Sequence, residues 1–286
     1  MIVVYSWGKR NHPCRQPGVG IGSRRNRYET GEWIMKLNKQ IMNTAGLAIV
    51  VGMLLMPVSG EARGRGYGHG GGGGQQACRT TVVSNLPMQD LSTDEELGLV
   101  KMREEEKLAR DVYRVLYEKW NHRVFGNIAQ SEQQHMDAIK MLLDKYSLTD
   151  PVTDSTIGVF TDPGLQQLYT SLVEQGNQSL IEALKVGATI EDLDIKDLYD
   201  LLAQTDNTDT KAVYQNLAKG SRNHLRAFVS QLSTSGTIYN AQFLTAVQID
   251  DIIASPRERG RVDENGVQVS GNGQGRGKGR GMGHRS

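Results

Sequence analysis

A carboxylate and an imidazole stand three positions apart at Glu132 and His135. On a helix that spacing projects both side chains the same way. Phe125, Ile128, Ala129, Met136, Ile139 and Leu143 recur on the same face, so the pair is aimed into an apolar core. A buried carboxylate is costly unless it is paired or bound to a metal. An inward Glu-x-x-His pair is one means by which a four-helix bundle holds a di-metal centre. Glu and His three apart also occur by chance, so the pattern gains force only if other helices supply matching ligands.

The elements that must do so are legible from periodicity. Ser92-Thr93-Asp94-Glu95 reads as a capping box opening a helix that runs to about Trp120. Its expected core stripe is Leu97, Lys101, Glu105, Leu108, Val112, Val115 and Leu116. At 100° per residue, Glu105 lies mid-face, Glu104 at the edge, and Glu106 points away. Asn121-His122 makes a turn, and the helix carrying Glu132 continues to about Tyr146. Residues 147–163, rich in Thr, Asp, Pro and Gly, form a loop long enough for a crossover.

Residues 164–185 are helical in pattern, with Gly176 and Gly187 as points of breakage or bending. Residues 190–203 form a further helix with the stripe Leu184, Ala188, Glu191, Ile195, Leu198 and Leu202. Glu191 is the carboxylate inside it. Asp194 sits near the edge, while Asp192, Asp197 and Asp200 are expected outside. A turn at 205–209 caps a helix over 210–232 whose stripe contains His224, with Ser221 three residues before it. A short helix is expected near 246–253. Separate helices therefore aim Glu105, Glu132 with His135, Glu191, and His224 inward.

The ends of the chain differ from this middle. The formal net charge is only +1, yet acidic residues outnumber basic ones between Ser92 and Ala254, so the flanks are basic. Met35-Lys36-Leu37-Asn38-Lys39 runs into the mostly apolar stretch 41–56 and then Pro57-Val58-Ser59-Gly60-Glu61-Ala62. That order is a secretory signal peptide, which implies an exported, periplasmic or secreted protein. A membrane anchor is the second choice, because the run falls short of the ~20 residues a span needs. The expected organisation is an over-long gene start at 1–34, a signal peptide at 35–62 and a Gly-rich basic linker at 63–90. A helical domain at 91–255 and a disordered Gly/Arg-rich tail at 256–286 complete it. The glycine-rich ends are too poor in apolar residues to pack a core. They suit flexible linkers or weak contact with polyanions, and they lack the interleaved aromatics of a base-stacking surface. Of the two cysteines, Cys14 precedes the expected start. Cys78 is then a free thiol or a link between chains.

Glu104-Glu105-Glu106-Lys107-Leu108-Ala109-Arg110-Asp111-Val112-Tyr113, Ser131-Glu132-Gln133-Gln134-His135 and Gly220-Ser221-Arg222-Asn223-His224-Leu225-Arg226-Ala227-Phe228 carry a resemblance. The chain from Leu91 to Ile253 resembles the ferritin-like family called domain of unknown function 2202 (DUF2202), and through it the rubrerythrin-type di-iron bundles. The resemblance implies an all-α, ferritin-like four-helix bundle with a crossover connection and a short C-terminal helix. By analogy it implies iron. Glu105, Glu132, His135, Glu191 and His224 are the expected ligands of one or two ions of iron or manganese, since oxygen donors with imidazoles suit those metals. Ser221 stands where a second Glu-x-x-His would put its carboxylate, so either Asp194 or Glu104 makes up the missing charge, or the site holds one metal, or none, and binding nearer one ion per chain than two is expected. Arg222 and Arg226 would oppose a cation if they turned inward. The function expected is ferrous iron oxidation or peroxide reduction. The competing expectation is a non-enzymatic binding module whose basic tails engage anionic surfaces. A homodimer is a candidate assembly, and no specific nucleic-acid motif, nucleophile elbow, phosphate loop or dinucleotide fingerprint is present.

Overall fold

The capping box at Ser92 forms as its sequence requires. Ser92 Oγ accepts from Glu95 N at 3.3 Å, and Glu95 Oε2 accepts in return from Ser92 N at 2.8 Å. In the computed structural model, which describes residues 86–269, this box opens α1, Thr93–Trp120. The expected gene start, the signal peptide, both cysteines and the glycine-rich runs lie outside the described residues. Asn121 ends α1 with φ 48°, a left-handed conformation that asparagine tolerates. α2 is Arg123–Lys145. Asp162 caps α3, Pro163–Gly176, by accepting from Gly164 N and Leu165 N. α4 is Leu180–Gln204, α5 Thr208–Thr234 and α6 Ala246–Ala254. A two-residue hairpin, β1 Arg261–Val262 against β2 Gln268–Val269, closes the described chain.

Polar contacts at one end of the bundle define the helix directions. Glu95 near the start of α1 accepts from Thr205 Oγ1 at 2.5 Å and from Asn207 Nδ2 at 2.8 Å, just beyond the end of α4. Lys145 at the end of α2 reaches Asp209 at the start of α5 at 2.7 Å. So α1 and α5 begin where α2 and α4 finish. α1 packs antiparallel to α2 and α4, and α5 does the same. Because α2 and α4 point the same way, the chain between them must return along the bundle, about 37 Å for a helix of α4's length. Residues 146–179 make that crossover, with α3 inside it. The four long helices form the bundle expected from the sequence. No helix among the described residues is long and apolar enough to cross a membrane.

Two helix assignments change. The helix expected over 164–185 ends at Gly176, and its last part belongs to α4, which runs unbroken through Gly187. The reason is local at one end and tertiary at the other. Ser179 accepts from Glu182 N at 3.1 Å and starts α4 afresh. Gly187 acts as a contact surface instead of a breaker. A Cβ there would stand 2.5 Å from the Phe228 ring of α5.

The apolar core is split in two. One cluster gathers Val112, Tyr113, Leu116, Phe125, Ile128, Leu184, Ala188 and Phe228. The other gathers Leu99, Met102, Ile139, Leu142, Leu198, Val213 and Leu217. On α1, α2 and α5 the boundary falls at 103–107, 130–138 and 219–224, and those stretches carry the ionisable groups.

Asp192, expected outside, is fully buried. Its carboxylate accepts from Tyr239 OH at 2.8 Å and from the backbone nitrogens of Gln242, Phe243 and Leu244 at 2.6, 3.2 and 2.7 Å. It anchors the segment that leads into α6. Residues past 255, read from the sequence as tail, also pack on α5. Glu258 pairs with Arg222 at 2.6 Å and Arg226 at 3.1 Å, and Asn216 bonds Val262 O at 2.7 Å. Asp192→Ala leaves three backbone amides, one buried and two partly buried, without their acceptor. It should cost at least about 2 kcal/mol, read as a lower urea midpoint, with cleavage by protease appearing first between residues 236 and 245.

Candidate metal centre

At the level where the core divides, α2 places Glu132 and His135 one turn apart and both buried. Glu132 Oε2 lies 2.7 Å from His135 Nδ1. Glu132 Oε1 lies 2.8 Å from His224 Nδ1, carried on α5. Glu191 of α4 brings its Oε2 to 3.4 Å from the same His224 nitrogen. From α1, Glu106 Oε2 stands 3.2 Å from His135 Nδ1. The imidazole rings stack with centroids 5.5 Å apart. The result is two groups sharing one residue, Glu106–Glu132–His135 and Glu132–Glu191–His224, each with ligand atoms within 4.8 Å of one another.

Glu106 is the residue that periodicity missed. It was expected to point away, yet it is 1% exposed. From Met102 to Tyr113 every residue of α1 except Glu104 is buried, so a wheel with one inward face does not describe this helix. A second stripe, Met102, Glu106, Ala109 and Tyr113, was present in the sequence at helical spacing and carried the signal. Glu105 is buried as expected but faces a different neighbourhood. Lys101 lies 3.4 Å from its Oε1, and the same lysine holds Asp197 at 3.0 Å. Glu104 is half-buried and joins neither group. Arg222 and Arg226 turn outward to Glu258, which keeps both guanidinium charges off His224.

Asp194 occupies the place of interest beside Ser221. Ser221 Oγ donates to Asp194 Oδ2 at 2.5 Å and lies 3.1 Å from Leu217 O. Burial, and then the charges of Glu106 and Glu191, push the Asp194 carboxyl well above the usual range. Asp194 joins neither ligand group. Tyr113 was named in the sequence only as part of a motif. Its hydroxyl donates to Glu191 Oε1 at 2.6 Å and fixes that carboxylate. Gly220 lets the backbone of α5 approach His135, since a Cβ there would be 2.5 Å from the ring Nε2.

The electrostatics follow from crowding opposite charges in a dry section. Burial works against the Glu132 charge, but His224 and His135 outweigh it and hold the carboxyl well below its usual range. Burial opposes the His224 proton too, and Glu132 and Glu191 overcome it, raising the group to about 10. Burial pushes Glu106 up to about 8, with His135 opposing. Burial and the Glu132 charge raise Glu191 to about 7.

The donor set fits a metal ion on geometry as well as type. Glu106 Oε1, Glu132 Oε1 and His224 Nδ1 are buried without a hydrogen bond, although the last two lie 2.8 Å apart. Neighbouring ligands on an ion with bonds of roughly 2.1 Å stand about 3 Å apart at octahedral angles. The 2.8 Å between Glu132 Oε1 and His224 Nδ1 matches that spacing.

Bundle and centre together define a helical protein whose clustered carboxylates and imidazoles can hold a metal ion. The chain belongs to the family described as "Uncharacterized protein domain (DUF2202)", which matches residues 95–256. It is similar to "Uncharacterized protein MJ0754" of Methanocaldococcus jannaschii, with 56% identity over 178 residues, covering 62% of this chain and 96% of the relative. A solved structure titled "Crystal structure of hypothetical protein MJ0754 from Methanococcus jannaschii DSM 2661" superposes with a TM-score of 0.60 at 55% identity. That match covers 61% of this chain and 99% of the other.

Glu104 separates from the centre by its own titration. Burial, and then the Asp162 charge, raise it to about 7 from an ordinary 4.5. The native state then binds a proton more tightly than the unfolded chain. That stabilisation is complete below pH 4.5 and is lost as pH rises through 7. Glu104→Gln should match the parent at pH 4.5 and exceed it at pH 8 by about 1 kcal/mol after solvent screening. Urea titrations at the two pH values check this, and metal content should not change.

Proposed function

We propose that the protein binds a pair of first-row transition metal ions, iron foremost and manganese next, with Glu132 as the shared carboxylate. The carrying observation is that Glu132 belongs to both ligand groups, one oxygen facing each imidazole. Glu106 and His135 would complete one half, and Glu191 and His224 the other. Asp194, held by Ser221, would add the charge that α5 does not provide. Hard carboxylate oxygens with two imidazoles favour iron or manganese over thiolate-seeking metals.

An iron pair there would supply two-electron chemistry with dioxygen or peroxide, which is the redox function expected from the sequence. The residues around it do the positioning. Tyr113 holds Glu191 and keeps a hydroxyl proton at its Oε1. The rings of Tyr113, Phe125 and Phe228, with centroids 5.3 to 6.4 Å apart, exclude water from one side. Lysine and arginine charges of α5 stay outside, paired to Glu258 and backbone.

Protein incubated anaerobically with ferrous ion and desalted should retain about two ions per chain on this reading. Elemental analysis reads the number. Glu132→Ala should lose both, because neither half keeps its shared oxygen. Retention of full metal by Glu132→Ala, or no retention by the parent, would refute the proposal.

Binding should also release protons. His135 and His224 carry raised affinities for theirs, the latter up to about 10, and Glu106 up to about 8. Ligands must be deprotonated to bind a metal, so affinity should rise with pH from 6 to 9 and fall on acidification. Calorimetry in buffers of differing ionisation heat should show more than one proton released per chain at pH 7. A binding heat independent of buffer would contradict the ligand set.

A further inference from the structure

Behind the outer face of α1 and α2 lies a second built feature, separate from the carboxylate centre. A cavity of about 530 Å³ opens between these helices and residues 150–155. Arg103, Arg110, Arg114 and Lys140 line it, against a single lining carboxylate, Asp150. We propose that this cavity binds a phosphate group, free or carried on a small molecule.

The arginines are arranged rather than scattered. Arg103 grips Asp150 in a two-pronged pair, Nε to Oδ1 and Nη2 to Oδ2, both at 3.0 Å. Its Nη1 donates to Met136 O at 3.0 Å. Arg110 is 4% exposed. Its Nη1 donates to Gln133 Oε1 at 2.7 Å and its Nε to Asp111 Oδ1 at 2.8 Å. Its Nη2 is buried and makes no hydrogen bond, although it lies 2.7 Å from that same Asp111 oxygen. Asp111 is itself shared, since its other oxygen takes Lys107 Nζ at 2.7 Å and Gly158 N at 3.1 Å. One carboxylate therefore answers two buried cations.

Arg114, one helical turn after Arg110, enters no hydrogen bond or ion pair among the described residues. Burial, and then the like charge of Arg110, press its pKa downward. Lys140 pairs with Asp144, which is solvent-exposed. Thr153 and Ser155 also line the cavity. The half-buried Arg114 guanidinium has no ion-pair partner among the described residues, and Arg110 beside it shares the Asp111 carboxylate with Lys107. The planar donor fork of arginine suits phosphate oxygens, and the volume lies within the range of small-ligand pockets. It exceeds a bare oxyanion, which leaves room for an organic substituent.

The test is calorimetric titration of the full chain at constant ionic strength. Inorganic phosphate and glucose 6-phosphate are the probes, with chloride as the control. Saturable binding should weaken at least tenfold in Arg114→Gln, a partly exposed change whose fold is checked by circular dichroism. Arg110→Gln should weaken it further. Tighter binding of the sugar phosphate would identify the ligand as a phosphorylated small molecule, and equal or weaker binding would identify free phosphate. No saturable binding of either probe at millimolar concentration would overturn the proposal. So would an affinity unchanged by Arg114→Gln, because phosphate would then be sitting elsewhere.

Discussion

The Glu132 carboxylate is 2% exposed and faces a histidine nitrogen from each oxygen. Much of the architecture is what that one buried charge requires. A carboxylate cannot be left alone in an apolar section, so cationic or metal partners must arrive at its level from other helices. They do, and the apolar packing is interrupted there. The two hydrophobic clusters meet at that level instead of merging into one core. Each cluster clamps one side of the polar layer, which holds the imidazoles and carboxylates in place without their own bonds having to do all of it.

Placing ionisable groups from four helices at one height also constrains chain direction. α1 with α2 and α4 with α5 are antiparallel pairs, and the pairs associate with α2 and α4 parallel. The price is a crossover as long as the bundle. That crossover has a use: it covers the remaining face of α1. Lys107, 1% exposed, donates to Thr156 O and Val159 O of the crossover, both at 3.0 Å, as well as to Asp111. A buried ammonium with three acceptors is tolerable where a lone one is not. The polar face of α1 thus became interior, and its charges turned into cross-links to the crossover.

This explains which features could be read from the residues. Features set by local chemistry were legible: the Ser92 box, the Asn121-His122 turn, the Glu132–His135 pair, Glu191 and His224 on their stripes. Features set by a distant segment were not. Glu106 and Asp192 looked outward because each helix was given a single buried face. Glu106 meets His135 of α2 and Asp192 meets the 239–244 segment, on faces that periodicity does not announce. Gly187 suggested a break because backbone freedom is visible in a sequence, whereas the Phe228 ring against it is not. Arg222 and Arg226 threatened the site until Glu258 was seen to draw them off.

Ser221 and Asp194 form a further buried pair at the edge of the polar layer. The two halves of the centre are unequal. α2 gives Glu132 and His135, while α5 gives Ser221 and His224 at the same spacing. Aspartate is shorter than glutamate, so a carboxylate on α4 needs room and a donor to stand near the position α5 left vacant. Ser221 is fully buried and small enough to give the room, and its hydroxyl gives the donor at 2.5 Å. The two residues are therefore one device. A bulkier residue at 221 would displace the Asp194 carboxyl, and without Asp194 the Ser221 hydroxyl would lose its partner on α4. Nothing in the spacing of either residue alone says this. It follows only when α4 and α5 are packed face to face, where Asp194 and Ser221 meet at the edge of the layer built around Glu132.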